Sequence, residues 1–222
     1  MYAAFSGYHL NHAMHGCPCC VSSGDKQKIH SKELKELTCD DLSRYSYKAM
    51  TTWGNTEDFK HYLPRILELL STGNCIIDNS IVLGKLEYGK WRTWQEKEQR
   101  VIKEFLFAWW RERINERPGF PLDVFLGIND LVGAPEHLLS RWDLSIEGAG
   151  FTNFVDFVYE YYYDLTVQKR FFRQLKEHDL CKIVSWIKSN SIGLEEGFFY
   201  FESKDEEFAE RISSAHFMVS GS

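Results

Sequence analysis

The stretch TWQEKEQRVIKEFLFAWWRERINERPG, residues 93–119, decides the fold class. Val101, Ile102, Phe105, Leu106 and Trp109 recur at the spacing of one helical face. Charged residues fill the other face, where Glu96 and Arg100 form an i,i+4 pair of the favourable orientation. Thr93 followed by Glu96 reads as a capping box, and Pro118-Gly119 as a stop, so a long helix is expected to end near Glu116.

The same grammar extends in both directions. Upstream, Asp25–Leu37 reads as a short amphipathic helix, and Thr38 or Asp40 caps a second one through Leu42, Tyr45 and Ala49. Asn55 with Asp58 caps a third, carrying Phe59, Tyr62, Leu63, Ile66 and Leu70 on one face. Pro64 lies inside that run, which predicts a kink or a fresh start there. Asp78 or Asn79 opens a helix that Gly89 stops. Downstream, helices are expected after Pro121, after Pro135 and from Thr152 or Asn153, then one through Val167, Phe171 and Leu175, one through Leu180 to Ile187, and a last one over Glu206–Phe217. Phe198–Phe201 alone is short enough to be read as a strand.

The expected fold is therefore all-α and multi-helical, either a HEAT-like stack of helix pairs or an irregular bundle, since no fixed repeat period emerges. Residues 1–24 carry Gly, Pro, His and Cys without period and read as a Cys/His-rich arm, followed by a single helical domain over 25–222. The 222 residues suffice to bury a core without a staple. The most apolar run, Phe105–Trp110, is far shorter than the ~20 residues a membrane span needs. No basic segment followed by an apolar one opens the sequence, so a cytoplasmic location is expected. The six cysteines should then be thiols or metal ligands more than structural disulfides. A formal net charge of −6 argues against a general role on nucleic acid. Lys169, Arg170, Arg173 and Lys176 form a local basic cluster that reads as the solvated face of a helix.

Candidate chemistry concentrates in the arm, which reads His9-x2-His12-x2-His15-x-Cys17-x-Cys19-Cys20. Cys17 and Cys20 have the C-x-x-C spacing of a metal knuckle or a redox pair, and thiolate with imidazole suits zinc. With no second C-x-x-C, the remaining ligands must come from residues such as His15 and Cys39, with His9, His12 and His30 as further candidates. The acidic pairs Asp40-Asp41, Glu195-Glu196 and Glu206-Glu207 read as helix-end charges, since adjacent helical residues do not face one site. His61 lies three residues after Asp58, a conceivable dyad, and His178-Asp179 reads as a helix end. No nucleophile elbow, Walker motif or dinucleotide fingerprint occurs. Trp91, Trp94, Tyr161 and Tyr162 belong to aromatic clusters that cannot all face inward and are candidate binding residues.

Cys17-Pro18-Cys19-Cys20-Val21-Ser22, Asp40–Tyr45, Thr52-Trp53-Gly54 and Asp58–Arg65 together resemble an uncharacterised bacterial family of about this length, over roughly the first third of the chain. The resemblance implies no activity. The Cys-Pro-Cys-Cys string is also similar to small cysteine-rich bacterial domains found near toxin systems, but those carry a second cysteine pair that this chain lacks. The functional expectation is a helical protein-interaction module of the immunity or adaptor kind. A zinc-binding enzyme or a small-ligand-binding helical protein is the alternative.

Overall fold

The computed structural model describes residues 1–73, 75 and 77–221, with the Gln168 side chain excepted. It is all-α: 67% helical, with eleven α-helices and no strand among the described residues. Only isolated bridges occur, from Trp53 to Gly16 and to Ala49. No helix is long and apolar enough to cross a membrane among the described residues. The chain forms two compact units, Met1–Leu106 and Phe107–Ser222. Composition drew its line at residue 24 instead; the packing gathers the arm into the first unit.

That unit contains α1 (Ser23–His30), α2 (Cys39–Lys48), α3 (Thr56–Ser71), α4 (Asn79–Tyr88) and the beginning of α5 (Glu96–Glu116). Its helix starts are set locally. Ser22 with Asp25, Thr38 with Asp41, and Asn55 with Asp58 all form complete capping boxes, and the Asp78 side chain accepts from two backbone N–H groups of α4. The expected Thr93–Glu96 box does not form. Thr93 Oγ1 instead donates to the Lys90 carbonyl, and Glu98 reaches back to the backbone N–H of Gln95, so α5 begins later. The helix expected to run to Leu37 ends at His30.

Helix α3 runs unbroken through Pro64. A proline inside a helix costs about 3 kcal/mol. Against this, Phe59, Tyr62, Leu63, Ile66, Leu67 and Leu70 are all buried along the same helix. Burial of each such side chain stabilises by roughly 1.5–3 kcal/mol, so the packed face outweighs one lost hydrogen bond. Tyr45 sits against both Tyr62 and Trp53, with ring centres 4.6 and 5.3 Å apart. Gly54 has φ +69°, and a Cβ there would meet Met14 Sδ at 2.6 Å and Asp58 Oδ2 at 2.8 Å, so only glycine lets the arm close on the α3 cap.

A buried ionic network ties the arm to two helices. The Glu98 carboxylate, fully buried, accepts from Lys60 Nζ at 2.8 Å and from Tyr8 Oη at 2.6 Å. Lys60 also donates to Tyr8 Oη and lies over the Trp94 ring, 4.5 Å from its centre. Burial pushes the Glu98 carboxyl up, but hydrogen bonds from Lys60 and Tyr8, the Lys60 charge and the Gln95 N–H outweigh it and hold it below the ordinary value.

The second unit holds the rest of α5, then α6 (Leu122–Val132), α7 (Glu136–Leu139), α8 (Ala149–Tyr163), α9 (Glu177–Ser189), α10 (Ile192–Phe201) and α11 (Glu206–Ser220). Its core is aromatic: Trp110, Phe120, Phe125, Trp142, Phe154 and Phe157 meet at ring separations of 4.3–6.4 Å. Both indoles find partners, Trp110 Nε1 on the Leu138 carbonyl and Trp142 Nε1 on that of Gly150. Asn153, fully buried, donates to the carbonyls of Ile114 and Arg117 and so satisfies the end of α5. Three expectations are corrected in this unit. Phe198–Phe201 is the end of α10, not a strand. The expected helix over Val167–Leu175 is a π-turn, Asp164–Gln168, followed by turns, so the basic cluster lies on turns and not on a helix face. His178-Asp179 stands at the start of α9, not at a helix end.

Cys39 and Cys75 form a disulfide, with Cα atoms 5.5 Å apart. This corrects the expectation that Cys39 is a metal ligand: its sulfur is consumed by a partner 36 residues away.

Replacing Lys60 by methionine leaves the Glu98 charge buried without its cation. The expected loss is about 3–5 kcal/mol, read as a lower midpoint in urea at pH 7. Because the folded-state value of Glu98 is depressed, its contribution is present above the ordinary glutamate range, near pH 4.3, and fades as pH falls through the folded value. The gap between wild type and Lys60→Met should therefore shrink on acidification below about pH 4.

Candidate metal centre

The cysteine segment is fixed from both sides. The Gly54 N–H donates to the His15 carbonyl and the Cys17 N–H to the Thr52 carbonyl, both at 2.8 Å, which pairs residues 15–17 with 52–54. The next residues turn back at once: Cys20 and Val21 both donate to the Cys17 carbonyl at 2.9 Å, and Pro18 occupies the turn, where its preset φ fits. Val21 is buried, and Ser22 caps α1. Arg44 on α2 donates to the Cys20 carbonyl at 3.0 Å and lies 3.8 Å from Asp25.

This turn brings three sulfurs together. Cys17 and Cys19 Sγ are 3.0 Å apart, Cys19 and Cys20 Sγ 3.6 Å, and all three lie within 4.8 Å of one another. Three thiolates at about 2.3 Å from one tetrahedral ion stand about 3.8 Å from each other, close to the 3.6 Å between Cys19 and Cys20 and wider than the 3.0 Å between Cys17 and Cys19. The three sulfurs can hold a metal ion.

The sulfurs also set one another's acidity. Hydrogen bonding from Cys19, with Cys20 adding to it, stabilises the Cys17 thiolate and holds that thiol below its ordinary value. Cys19, as donor and neighbour of charge, is pushed up to about 11. Cys17 therefore ionises more readily than Cys19.

Of the four ligands expected from sequence, Cys17 and Cys20 lie in the cluster. His15 contributes its carbonyl to the Thr52–Gly54 pairing, and its ring is not part of the converged group. Cys39 is in the disulfide. Cys19, read from sequence as the spacer of C-x-x-C, is the third sulfur; the turn at Pro18 supplies the reason, and the adjacency of Cys19 and Cys20 is the signal that carried it.

The aromatic candidates fall elsewhere. Trp91 is buried, with its Nε1 donating to Glu87, and Trp94 is buried with its Nε1 on the Gly89 carbonyl. Tyr162 is buried and Tyr161 half-buried against Phe120, Phe171 and Phe172. The side chains that reach solvent are their neighbours Tyr159 and Tyr163, together with Val167 and Phe171. His61 and Asp58 do not form a dyad: the His61 Nδ1–H donates to the Tyr8 carbonyl, and Asp58 caps α3 and accepts from Asn11. Asp40 and Asp41 pair with Lys28 and Lys32, and Glu206-Glu207 lies in the first turn of α11, in keeping with helix-end charge.

No family model, curated protein or solved structure matches this chain.

Limiting iodoacetamide at pH 8 should label Cys17 ahead of Cys19, as read by peptide mass spectrometry. Cys19→Ala should move the midpoint of Cys17 alkylation to higher pH, because the chief hydrogen-bond donor to its thiolate is gone. A midpoint that stays put in that variant contradicts the assignment.

Proposed function

We propose that this chain is a helical metal-binding protein that takes up one thiophilic ion, Zn²⁺, through Cys17, Cys19 and Cys20. The single observation that carries the reading is the convergence of three sulfurs on a turn held by its own hydrogen bonds. A soft, all-sulfur donor set favours zinc or cuprous copper over calcium or magnesium. Arg44 beside the turn offsets part of the charge that three thiolates bring. The fourth coordination position is filled by water or by the exposed His15, two residues before Cys17. Protein purified without chelator should contain one equivalent of zinc by elemental analysis. Cys17→Ser, Cys19→Ser and Cys20→Ser should each lose it while keeping the helical circular dichroism signal. Folded protein that arrives metal-free and takes up no added Zn²⁺ ends this reading.

A second reading, a protein-interaction module of the immunity or adaptor kind, is favoured by one observation in the second unit. Tyr159, Tyr163, Val167 and Phe171 are between 41 and 60% exposed, within one stretch of chain. Exposed apolar side chains gathered in this way mark interfaces more often than isolated ones do. The two readings are compatible, since the metal turn and these side chains belong to different units.

The proposed location is the cytoplasm, where a reducing thiol pool keeps most disulfides open. The Cys39–Cys75 disulfide runs against this location and is therefore its test. Thiols trapped by alkylation at the moment of lysis are both free if the chain works in the cytoplasm with the bond open, whereas recovery of the intact disulfide overturns the cytoplasmic reading.

A further inference from the structure

The first unit contains a cavity of about 440 Å³ whose walls include Leu10, His12, Ile29, His30, Leu37 and His61. Three of the eight histidines of the chain line it, from three separate places: the arm, the last residue of α1 and the second turn of α3. None of the three belongs to the cysteine cluster.

Three features of these imidazoles need an explanation that packing does not supply. First, the His30 Nε2 atom is buried with no hydrogen-bond partner among the described residues, an arrangement that costs about 1–3 kcal/mol if nothing ever satisfies it. Second, the His61 Nδ1–H donates to the Tyr8 carbonyl at 3.1 Å, which fixes the tautomer and leaves the Nε2 lone pair free of a proton. Donation of one ring N–H to a backbone carbonyl is the usual support of a metal-binding histidine. Third, the His12 and His30 rings stand 5.2 Å apart at an interplanar angle of 74°. Two imidazoles on one tetrahedral ion, each with a metal–nitrogen distance of about 2.0–2.1 Å, hold their ring centres about 5 Å apart.

We propose that His12, His30 and His61 form a second metal site, an all-imidazole site for a divalent transition ion such as Zn²⁺, Co²⁺ or Ni²⁺, inside this cavity. Among the described residues only the three cysteines have three ligand atoms within 4.8 Å of one another, so the three imidazoles reach one ion only after their side chains turn toward it. The ion would join the arm to α1 and α3 close to the Lys60–Glu98–Tyr8 network, with Tyr8 four residues before His12 and Lys60 one residue before His61. Nitrogen donors of this kind accept Zn²⁺, Co²⁺ and Ni²⁺ alike, whereas the sulfur turn selects softer ions.

The test uses the tag-free 222-residue chain with the sulfur site removed, as Cys17→Ser/Cys19→Ser/Cys20→Ser, titrated with Co²⁺ alone. The expected result is one equivalent of Co²⁺ with visible ligand-field absorption and no thiolate charge-transfer band. His12→Ala in that background should weaken binding at least about tenfold, since even loss of an outer-shell partner typically costs 10–100-fold. His12 is exposed, so its removal does not threaten the fold. If the triple variant does not fold, wild-type protein with its thiols blocked by N-ethylmaleimide takes its place. Absence of stoichiometric Co²⁺ binding in the sulfur-free protein, or binding that neither His12→Ala nor His61→Ala weakens, overturns the proposal. The sulfur site is read separately, from the charge-transfer band of untreated wild type, so either site can fail without the other.

Discussion

The first unit depends on the pairing of Lys60 with Glu98 more than on any other single contact. A glutamate removed wholly from water is tolerable only if its charge is met and its oxygens are hydrogen-bonded. Lys60 and Tyr8 satisfy both requirements at once, and they come from α3 and the arm while Glu98 comes from α5. The interaction therefore specifies an arrangement: three segments far apart in sequence must arrive together, or a charge is stranded. The aromatic walls of the network, Tyr8 and Trp94, add cation–π contact to Lys60 and exclude water from it.

This constraint places the chemistry. With Tyr8 fixed, the chain from residue 9 onward has little freedom before Met14 meets Gly54 and residues 15–17 pair with 52–54. The cysteine turn is thus positioned by a buried ion pair and a glycine as much as by its own hydrogen bonds. The three sulfurs do not ionise together, since the charge and hydrogen bonds of its neighbours push the Cys19 thiol up to about 11. A turn anchored on both sides holds them together.

Legibility in the sequence followed the range of the interactions. Helix class, the caps at Thr38, Asn55 and Asp78, and the span of α5 rest on residues within four positions of each other, and they could be read directly. The Thr93 cap does not form because the Thr93 N–H and hydroxyl both donate back to the Lys90 carbonyl, while Glu98, held by Lys60, accepts the N–H of Gln95. Of the two expectations at Pro64, the fresh start does not occur, because the burial along α3 that keeps one helix continuous exists only in the folded unit. The C-x-x-C spacing pointed to the turn on which the sulfurs converge, but it gave no sign that Cys19 lies among them or that Cys39 lies elsewhere. Spacing in sequence does not reveal that Cys39 meets Cys75, and nothing near Cys75 marks it. Among Tyr161, Tyr162 and Tyr163, periodicity establishes only that they fan around α8; which of them is covered depends on Phe120, Phe171 and Phe172.

The bond between Cys39 and Cys75 has a topological effect as well as an energetic one. It closes a ring of chain that contains all of α2 and α3, including Tyr45, Trp53 and Lys60. A protease that cut the backbone once anywhere inside that ring would open it without releasing a fragment. The two pieces would migrate as one species until a reductant was added, and the severed ends would remain close enough to re-dock. The segment that organises the unit is thereby also the segment whose scission the molecule is best built to survive.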